Sequence, residues 1–456
     1  MKWTCLLLAP LLVGAMECKA ADADTLTLEA CIRIGMENNI GLKKRTEEVR
    51  VSKIGLSENR ARLLPVIQGF GNFVNNVHRG TSLSDGSNMG RLLGVDAPYM
   101  ASQGLRYTTT GGIQLSLPLY DQTLYTGTEV AKKMVSISQA SYEKAKEDLT
   151  IEIGKLYYLA QTTEEQIKLT QKNIGRLEEL LGITQALYEN DMALQVNVQR
   201  VEINLKTLQV KLDNAKAMLE QQFNLLRYML DLSPETSIVL ETIEVNDTFD
   251  DDHLLGGVSS SLYELQLLDL QAELIKKQKK AINHAYLPSL SLVGNLSYTA
   301  FTDHFENYFH NHPTNRWYNT TSWGLSLKVP IFDGMAKYHK RQKANAQYNT
   351  LQLTIEDTRK NLQTQYGNAM NNWYNSVRTV QQQTDNYRLA ENVYLVTTDQ
   401  YKEGVASMSD LLQDEMRMSE AQNGYVSALY NYKVSELALL KLTGQLNLLT
   451  EKQTSN

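Results

Sequence analysis

The chain has 456 residues, a formal net charge of −6 and 42% hydrophobic residues. An acidic balance excludes a general nucleic-acid binder, which needs a basic surface against phosphates. The apolar content is too high for a chain disordered throughout, and the length suffices for two or three ordinary domains.

The N-terminus reads MKWTCLLLAPLLVGAMECKA. Lys2, the apolar stretch Leu6 to Val13 and the small residues around Cys18-Lys19-Ala20 predict an export signal over 1–20, with Ala20 or Ala21 the last residue removed. Met16-Glu17 is a poor lipobox before Cys18, so cleavage is expected rather than a lipid anchor there. Cys5 and Cys18 leave with the signal, and Cys31 remains as a small apolar residue on a helix face with no disulfide partner. No run of about 18 apolar residues follows, so no transmembrane helix is expected.

A first repeat is read over 21–234. Thr25 or Thr27 caps a helix that runs to about Leu63, where Leu64-Pro65 ends it. A strand over 66–77, a Gly/Ser/Asn/Asp-rich loop over 78–109 and a strand over 111–119 follow. A proline-free helical hairpin then occupies 121–230, its first arm about 100 Å long and its turn at Glu189-Asn190-Asp191. Residues 235–258 are acidic and irregular and read as a linker.

The same order recurs over 259–446: a helix, Leu287-Pro288, strands over 289–300 and 322–331 around a loop at 301–321, and a helical hairpin over 333–444 with its turn at Glu403-Gly404. A tail, 447–456, closes the sequence. GGIQLSLPLYD (111–121) and WGLSLKVPIFDG (323–334) carry the duplication most plainly, Pro118 matching Pro330, Tyr120 matching Phe332 and Asp121 matching Asp333. In both, apolar residues alternate with small or polar ones, the period of a strand with two unlike faces. No proline of the mature chain falls inside a proposed helix, where it costs about 3 kcal/mol.

The returning helices carry a heptad seam. Val198, Leu205, Leu212, Leu219 and Leu226 take one position, with Val201, Leu208, Ala215 and Met229 at the other, where Gln222 interrupts. Leu411, Met418, Tyr425, Tyr432 and Leu439 repeat the first position, and Asp414, Ala421, Ala428, Ser435 and Leu442 the second.

Four strands cannot close a wide barrel, and an open sheet in lipid leaves its edge groups unpaired, so several chains must share one barrel. Three chains would supply twelve strands, within the even-numbered, apolar-out and polar-in pattern of outer-membrane barrels. The expected architecture is therefore mainly α with a small membrane β-barrel, built from a duplicated strand-strand-long helical hairpin repeat. It is a trimeric α/β-barrel tunnel with loops outside the cell and long helices in the periplasm.

Over essentially its whole mature length the chain resembles the TolC-type outer-membrane efflux channel family. The resemblance is carried by TLEACIRIGMENN (27–39), the Leu-Pro strand starts at 64 and 287, SLPLYD (116–121), KVPIFDG (328–334) and YKEGVASMSDLLQDEMRMSEAQNGY (401–425). It implies a homotrimeric passive duct in the outer membrane, with outer-membrane lipid around the barrel. It also implies docking to a periplasmic adaptor and an inner-membrane pump or ABC transporter. By the same resemblance Asp410 lines the periplasmic entrance, Asp414 one turn on either adds to that ring or sits in the seam, Gly404 makes the tip turn and Tyr401 braces the tip by hydrogen bonding. The first-repeat tip departs from the pattern, with Asp191 at the position of Gly404 and Asn197 at that of Asp410, and Ile40 stands where the family often has proline.

Nothing points to catalysis or a cofactor: there is no phosphate loop, dinucleotide fingerprint or serine nucleophile elbow. His304, His310 and His312 share the second outer loop and read as polar loop residues rather than metal ligands. Trp317, Tyr318 and Trp323 suit an interfacial aromatic girdle or ordinary packing, and the Lys/Glu runs of the long helices read as solvated faces. Two other functional classes compete with the duct: a periplasmic structural coiled coil, with the strands as packing hairpins, and a porin-like or adhesive surface protein.

Overall fold

A computed structural model describes residues 25–84, 99–243, 257–309 and 317–451. The export signal, Cys18, the acidic run of the linker, His310 and His312 lie outside the described residues. In chain order the elements are α1 (Leu28–Asn38), α2 (Ile40–Ala61), β1 (Val66–Asn75), β2 (Gly80–Ser84), β3 (Tyr99–Gln103) and β4 (Tyr107–Tyr120). Then come α3 (Gln122–Glu189), α4 (Gln195–Leu230), α5 (Tyr263–His284), β5 (Ser289–Thr302), β6 (Trp317–Lys328), α6 (Ala336–Lys402), α7 (Met408–Thr443) and α8 (Leu448–Glu451). A 3₁₀ turn, Phe305–Tyr308, follows β5. No described helix is long and apolar enough to cross a membrane.

Three sequence expectations are corrected. The first helix is not continuous: Asn39 (ψ 123°) ends α1, its Oδ1 accepts from the Leu42 N–H at 3.2 Å and its Nδ2 donates to Met229 O at 2.8 Å. One asparagine thus closes one helix and opens the next, the work its short polar side chain favours. The first outer loop contains an antiparallel pair of strands, β2 with β3, and β4 begins at Tyr107 rather than 111. The second outer loop is shorter than read, because β6 starts at Trp317, where aromatic residues favour the extended chain. Thr27 caps α1 as expected, accepting from the Ala30 N–H at 3.2 Å.

The chain divides into two compact units, each drawing on both repeats: Lys44–Glu143 with Tyr263–Lys360, and the remainder. The first of these holds a four-stranded antiparallel sheet in the order β1-β4-β5-β6. Its register sorts the side chains. Ile67 lies opposite Leu115, Leu117 opposite Leu292, and Leu292 opposite Leu325. Toward the helices one face is therefore apolar, with Trp323 81% exposed on it, while nearer the loops the same face carries Thr109, Asn319 and Thr321. The other face carries Gln68, Gln114, Asn295 and Ser322, in matching register. β1 and β6 are edges, paired on one side only. Trp317 and Trp323 project on the apolar face and Tyr318 on the other, where it lies against Phe301 with centroids 6.3 Å apart. Near the loop end Phe73 meets Tyr107 and Phe305 with centroids 6.0 and 5.9 Å apart.

Below the strands, Asp121 accepts from the Thr123 and Leu124 N–H groups at 2.9 and 3.3 Å, and Asp333 accepts from the Lys337 N–H at 3.0 Å. The two carboxylates matched by the duplication thus perform one task, satisfying the orphan donors where a long helix starts. α5 is fixed to α3 by Lys277–Glu129 at 2.6 Å, by Lys133–Glu273 and by Thr126 with His284.

In the other unit the heptad seam is buried toward its two ends on α4, with Leu205, Leu212, Ala215 and Leu219 half-buried between them, and at most of its positions on α7. Val198, Val201, Leu208, Leu226 and Met229 face inward on α4, and Leu411, Met418, Tyr432 and Leu439 on α7. Gln222, the interruption, is buried too, and its Nε2 donates to Thr163 Oγ1 at 3.1 Å. The described start of the linker is held by backbone and side-chain contacts. Leu26 bridges Leu240 in parallel, Tyr157 donates to Leu26 O at 2.9 Å and Gln161 to Glu241 O at 2.6 Å.

Candidate functional site

The two hairpin turns, α3–α4 and α6–α7, belong to one unit and share a backbone plan. Leu187 O accepts from the Met192 and Ala193 N–H groups at 2.8 and 3.2 Å. Gln400 O accepts from the Val405 and Ala406 N–H groups at the same two distances. The plan demands one left-handed residue in each turn, Asp191 at φ 58° and Gly404 at φ 76°. Gly404 adopts it without strain, whereas Asp191 is one of the few side-chain-bearing types that tolerate it.

The returning helices start differently. Ser407 caps α7: its Oγ accepts from the Asp410 N–H at 3.2 Å, while the Asp410 carboxylate accepts from the Ser407 N–H at 3.3 Å and Oγ at 2.7 Å. This reciprocal box satisfies two orphan donors, and the Asp410 side chain stays exposed. Leu194 takes the equivalent place before α4 and caps nothing with its side chain, and Asn197 stands at the third helical position, where α7 has Asp410.

Asp414 is drawn into the α6–α7 seam. Its carboxylate accepts from Thr397 Oγ1 at 2.8 Å and pairs with Arg417 at 3.3 Å. Tyr401 is buried, and its hydroxyl finds no hydrogen-bond partner among the described residues. Its ring packs in a cluster with Leu177, Leu180, Val201, Tyr394, Leu411 and Met418, which ties both hairpins together behind their turns. Arg200 reaches Ser409 Oγ at 3.4 Å, and Lys402 pairs with Glu179 at 3.5 Å, so both links run from one hairpin to the other.

Sequence reading missed the polar groups inside this bundle because they lie within runs taken as solvated faces. Glu391 accepts from Lys172 at 2.8 Å and pairs with Arg176, whose guanidinium also lies 5.9 Å from the Tyr394 ring centroid. Burial pushes the Glu391 carboxyl up, but the Lys172 and Arg176 hydrogen bonds and charges outweigh it and hold it below its ordinary value. Asn173 and Gln422, both buried, exchange amide hydrogen bonds at 2.6 and 3.3 Å. The signal available in the sequence was position alone: Gln422 directly follows the seam residue Ala421.

Glu415 is the outlier. It is 5% exposed and its Oε1 has no hydrogen-bond partner among the described residues. Burial pushes its carboxyl above the usual range, and Lys211 offsets this only in part. A raised carboxyl contributes stability that is fully present below the unfolded value of about 4.3 and is lost as pH rises through the folded value. The isosteric Glu415→Gln variant is therefore expected to unfold at a higher temperature than the parent at pH 8, with the gain gone near pH 4. Thermal unfolding at the two pH values checks this; an equal gain at both contradicts it.

The comparisons agree with this architecture. The model of the "Outer membrane efflux protein" family matches residues 41–230 and 263–445, two stretches that follow the duplication. The chain is similar to the outer membrane protein TolC of Vibrio cholerae, 19% identical over 345 residues, 74% of this chain and 77% of that protein. It is likewise similar to outer membrane protein TolC of Salmonella enteritidis, 21% identical over 369 residues, 78% of this chain and 74% of that protein. The crystal structure of outer membrane protein VceC from Vibrio cholerae shares the fold, with a TM-score of 0.70 at 14% identity over 91% of this chain and 96% of that one. A family model covering both halves, the paired turn plan and the two-faced sheet converge: this chain belongs to the outer membrane efflux protein family and is an outer-membrane channel protein of the efflux type.

Proposed function

We propose that three copies of this chain form a passive exit duct that crosses the outer membrane and reaches into the periplasm. There it meets a periplasmic adaptor and an inner-membrane pump or ABC transporter, as channels of this family do in general. Each copy contributes two repeats, 21–234 and 259–446, joined by 235–258. The observation that carries this reading is the open sheet: one face apolar over its helix-side half, and two edges paired on one side only. In lipid each unpaired edge group costs several kcal/mol, so β6 of one copy must meet β1 of the next. Chemical cross-linking of protein extracted from outer membranes is expected to give trimers, and a monomer with a complete barrel overturns the reading. Deleting the pump partner is expected to abolish export through the duct, an outcome that a porin-like surface protein does not share.

The periplasmic mouth is assigned to Asp410. It stays exposed beside the tip turn, and three-fold symmetry repeats it as a ring whose field gathers cations at a narrow entrance. Capping explains the same residue locally, at about 1 kcal/mol, so the test separates the two roles. Asp410→Asn removes the charge and keeps an acceptor for Ser407; Ser407→Ala removes the box and keeps the charge. Cation preference and block by multivalent cations from the periplasmic side, read in single-channel recordings, are expected to fall with the first variant only. Unchanged block with Asp410→Asn removes the residue from the mouth.

A further inference from the structure

The polar face of the sheet is uncharged over nearly its whole length. β1, β4, β5 and β6 together contain one charged residue, Lys328, the last residue of β6. Its register partner is Ser289, and alternation places both on the face that carries Ser291, Asn295, Ser322 and Ser326. Lys328 is exposed and has no ion-pair or hydrogen-bond partner among the described residues. The carboxylates next to the strand ends are engaged elsewhere: Asp333 with the start of α6 and with Lys337 at 3.7 Å, and Asp121 with the start of α3. A lysine with no counter-charge thus stands where the strands give way to the helices, on the face that a shared barrel turns inward.

We propose that Lys328 is a specificity-determining residue of the duct. Repeated by three-fold symmetry, it forms a ring of amines at the base of the barrel that attracts and briefly holds multivalent anionic solutes, such as phosphate- and carboxylate-bearing molecules, on their way out. The proposal rests on the trimeric-duct reading. The rest of that face carries hydroxyl, amide and apolar side chains such as Ser291, Asn295, Val293 and Phe70 but no second charge, so no strand group competes with the ring for the solute.

The experiment is single-channel recording of purified trimers with inorganic triphosphate added on the extracellular side, from which it reaches the barrel base without passing the helical tip. The parent protein is expected to show voltage-dependent block that weakens with salt. Lys328→Gln is expected to raise the half-blocking concentration roughly tenfold, because a multivalent anion loses its contacts with three charges at once. Lys328→Arg is expected to keep the block. Cross-linking of each variant confirms that trimers are compared with trimers. If parent and Lys328→Gln trimers conduct and block alike, Lys328 is not a lumen charge and the proposal fails while the duct stands. If the parent protein forms neither trimers nor channels, the duct reading fails and takes the ring with it.

Discussion

Leu208→Pro is expected to abolish trimer yield. Leu208 is buried in the middle of α4, inside the cluster that joins both hairpins. Proline there removes a helical hydrogen bond and clashes with the preceding turn, about 3 kcal/mol or more. Losing the buried leucine costs a further 2–5 kcal/mol, roughly the value of truncation to alanine. The two together approach the whole stability of an ordinary domain, about 5–15 kcal/mol. Leu208→Ala incurs only the second cost and is expected to assemble with reduced heat resistance. His78→Pro, in the segment between β1 and β2, is expected to leave yield unchanged, because surface connections absorb such changes. Trimer recovery from membranes, scored by cross-linking, compares the three. Equal yield of Leu208→Pro and His78→Pro rejects the place given to Leu208.

Leu411→Ala is expected to loosen the bundle behind the turns without unfolding the chain. Leu411 is fully buried, one residue after Asp410, and packs in the same cluster as Tyr394, Tyr401 and Met418. Truncation leaves a cavity among side chains from both hairpins and costs about 2–5 kcal/mol. Val405→Ala, at the exposed apex of the same turn, removes a side chain that is 77% exposed and is expected to cost less than about 0.5 kcal/mol. Hydrogen exchange of the α6–α7 turn reads the difference. Faster exchange is expected around 400–411 with Leu411→Ala alone, and matching rates in both variants contradict the packing described.

Much of this protein was legible in its sequence, for a physical reason. Period-two alternation, heptad spacing and proline punctuation are local rules, and the chain obeys them in both halves. Alternation alone set Leu115 and Leu325 apart from their polar neighbours, and spacing alone set Val201, Leu208 and Leu411 in the seam; the register puts the two leucines on one face, and the three seam residues are buried. The repeat made each weak signal count twice, which is how Gly404 and Asp191 were matched before their shared left-handed backbone was seen.

What the sequence left open depends on partners far apart in the chain. Asn39 breaks the first helix because Met229 supplies a carbonyl for its side chain, and no local pattern announces that acceptor. Glu391 and Arg176 read as solvated charges until packing set them against one another across more than two hundred residues. Nothing local in the sequence marks Glu415, and only the fold turned it inward, its Oε1 without a hydrogen-bond partner among the described residues. Asp410 and Asp414 are four residues apart on one helix, yet the first stays in solvent as half of a capping box while the second is taken by Thr397 and Arg417. Periodicity fixes which face of a helix a residue occupies. Which groups wait on the far side of that face, and whether a charge there is paired, capped or stranded, is decided only when distant segments pack.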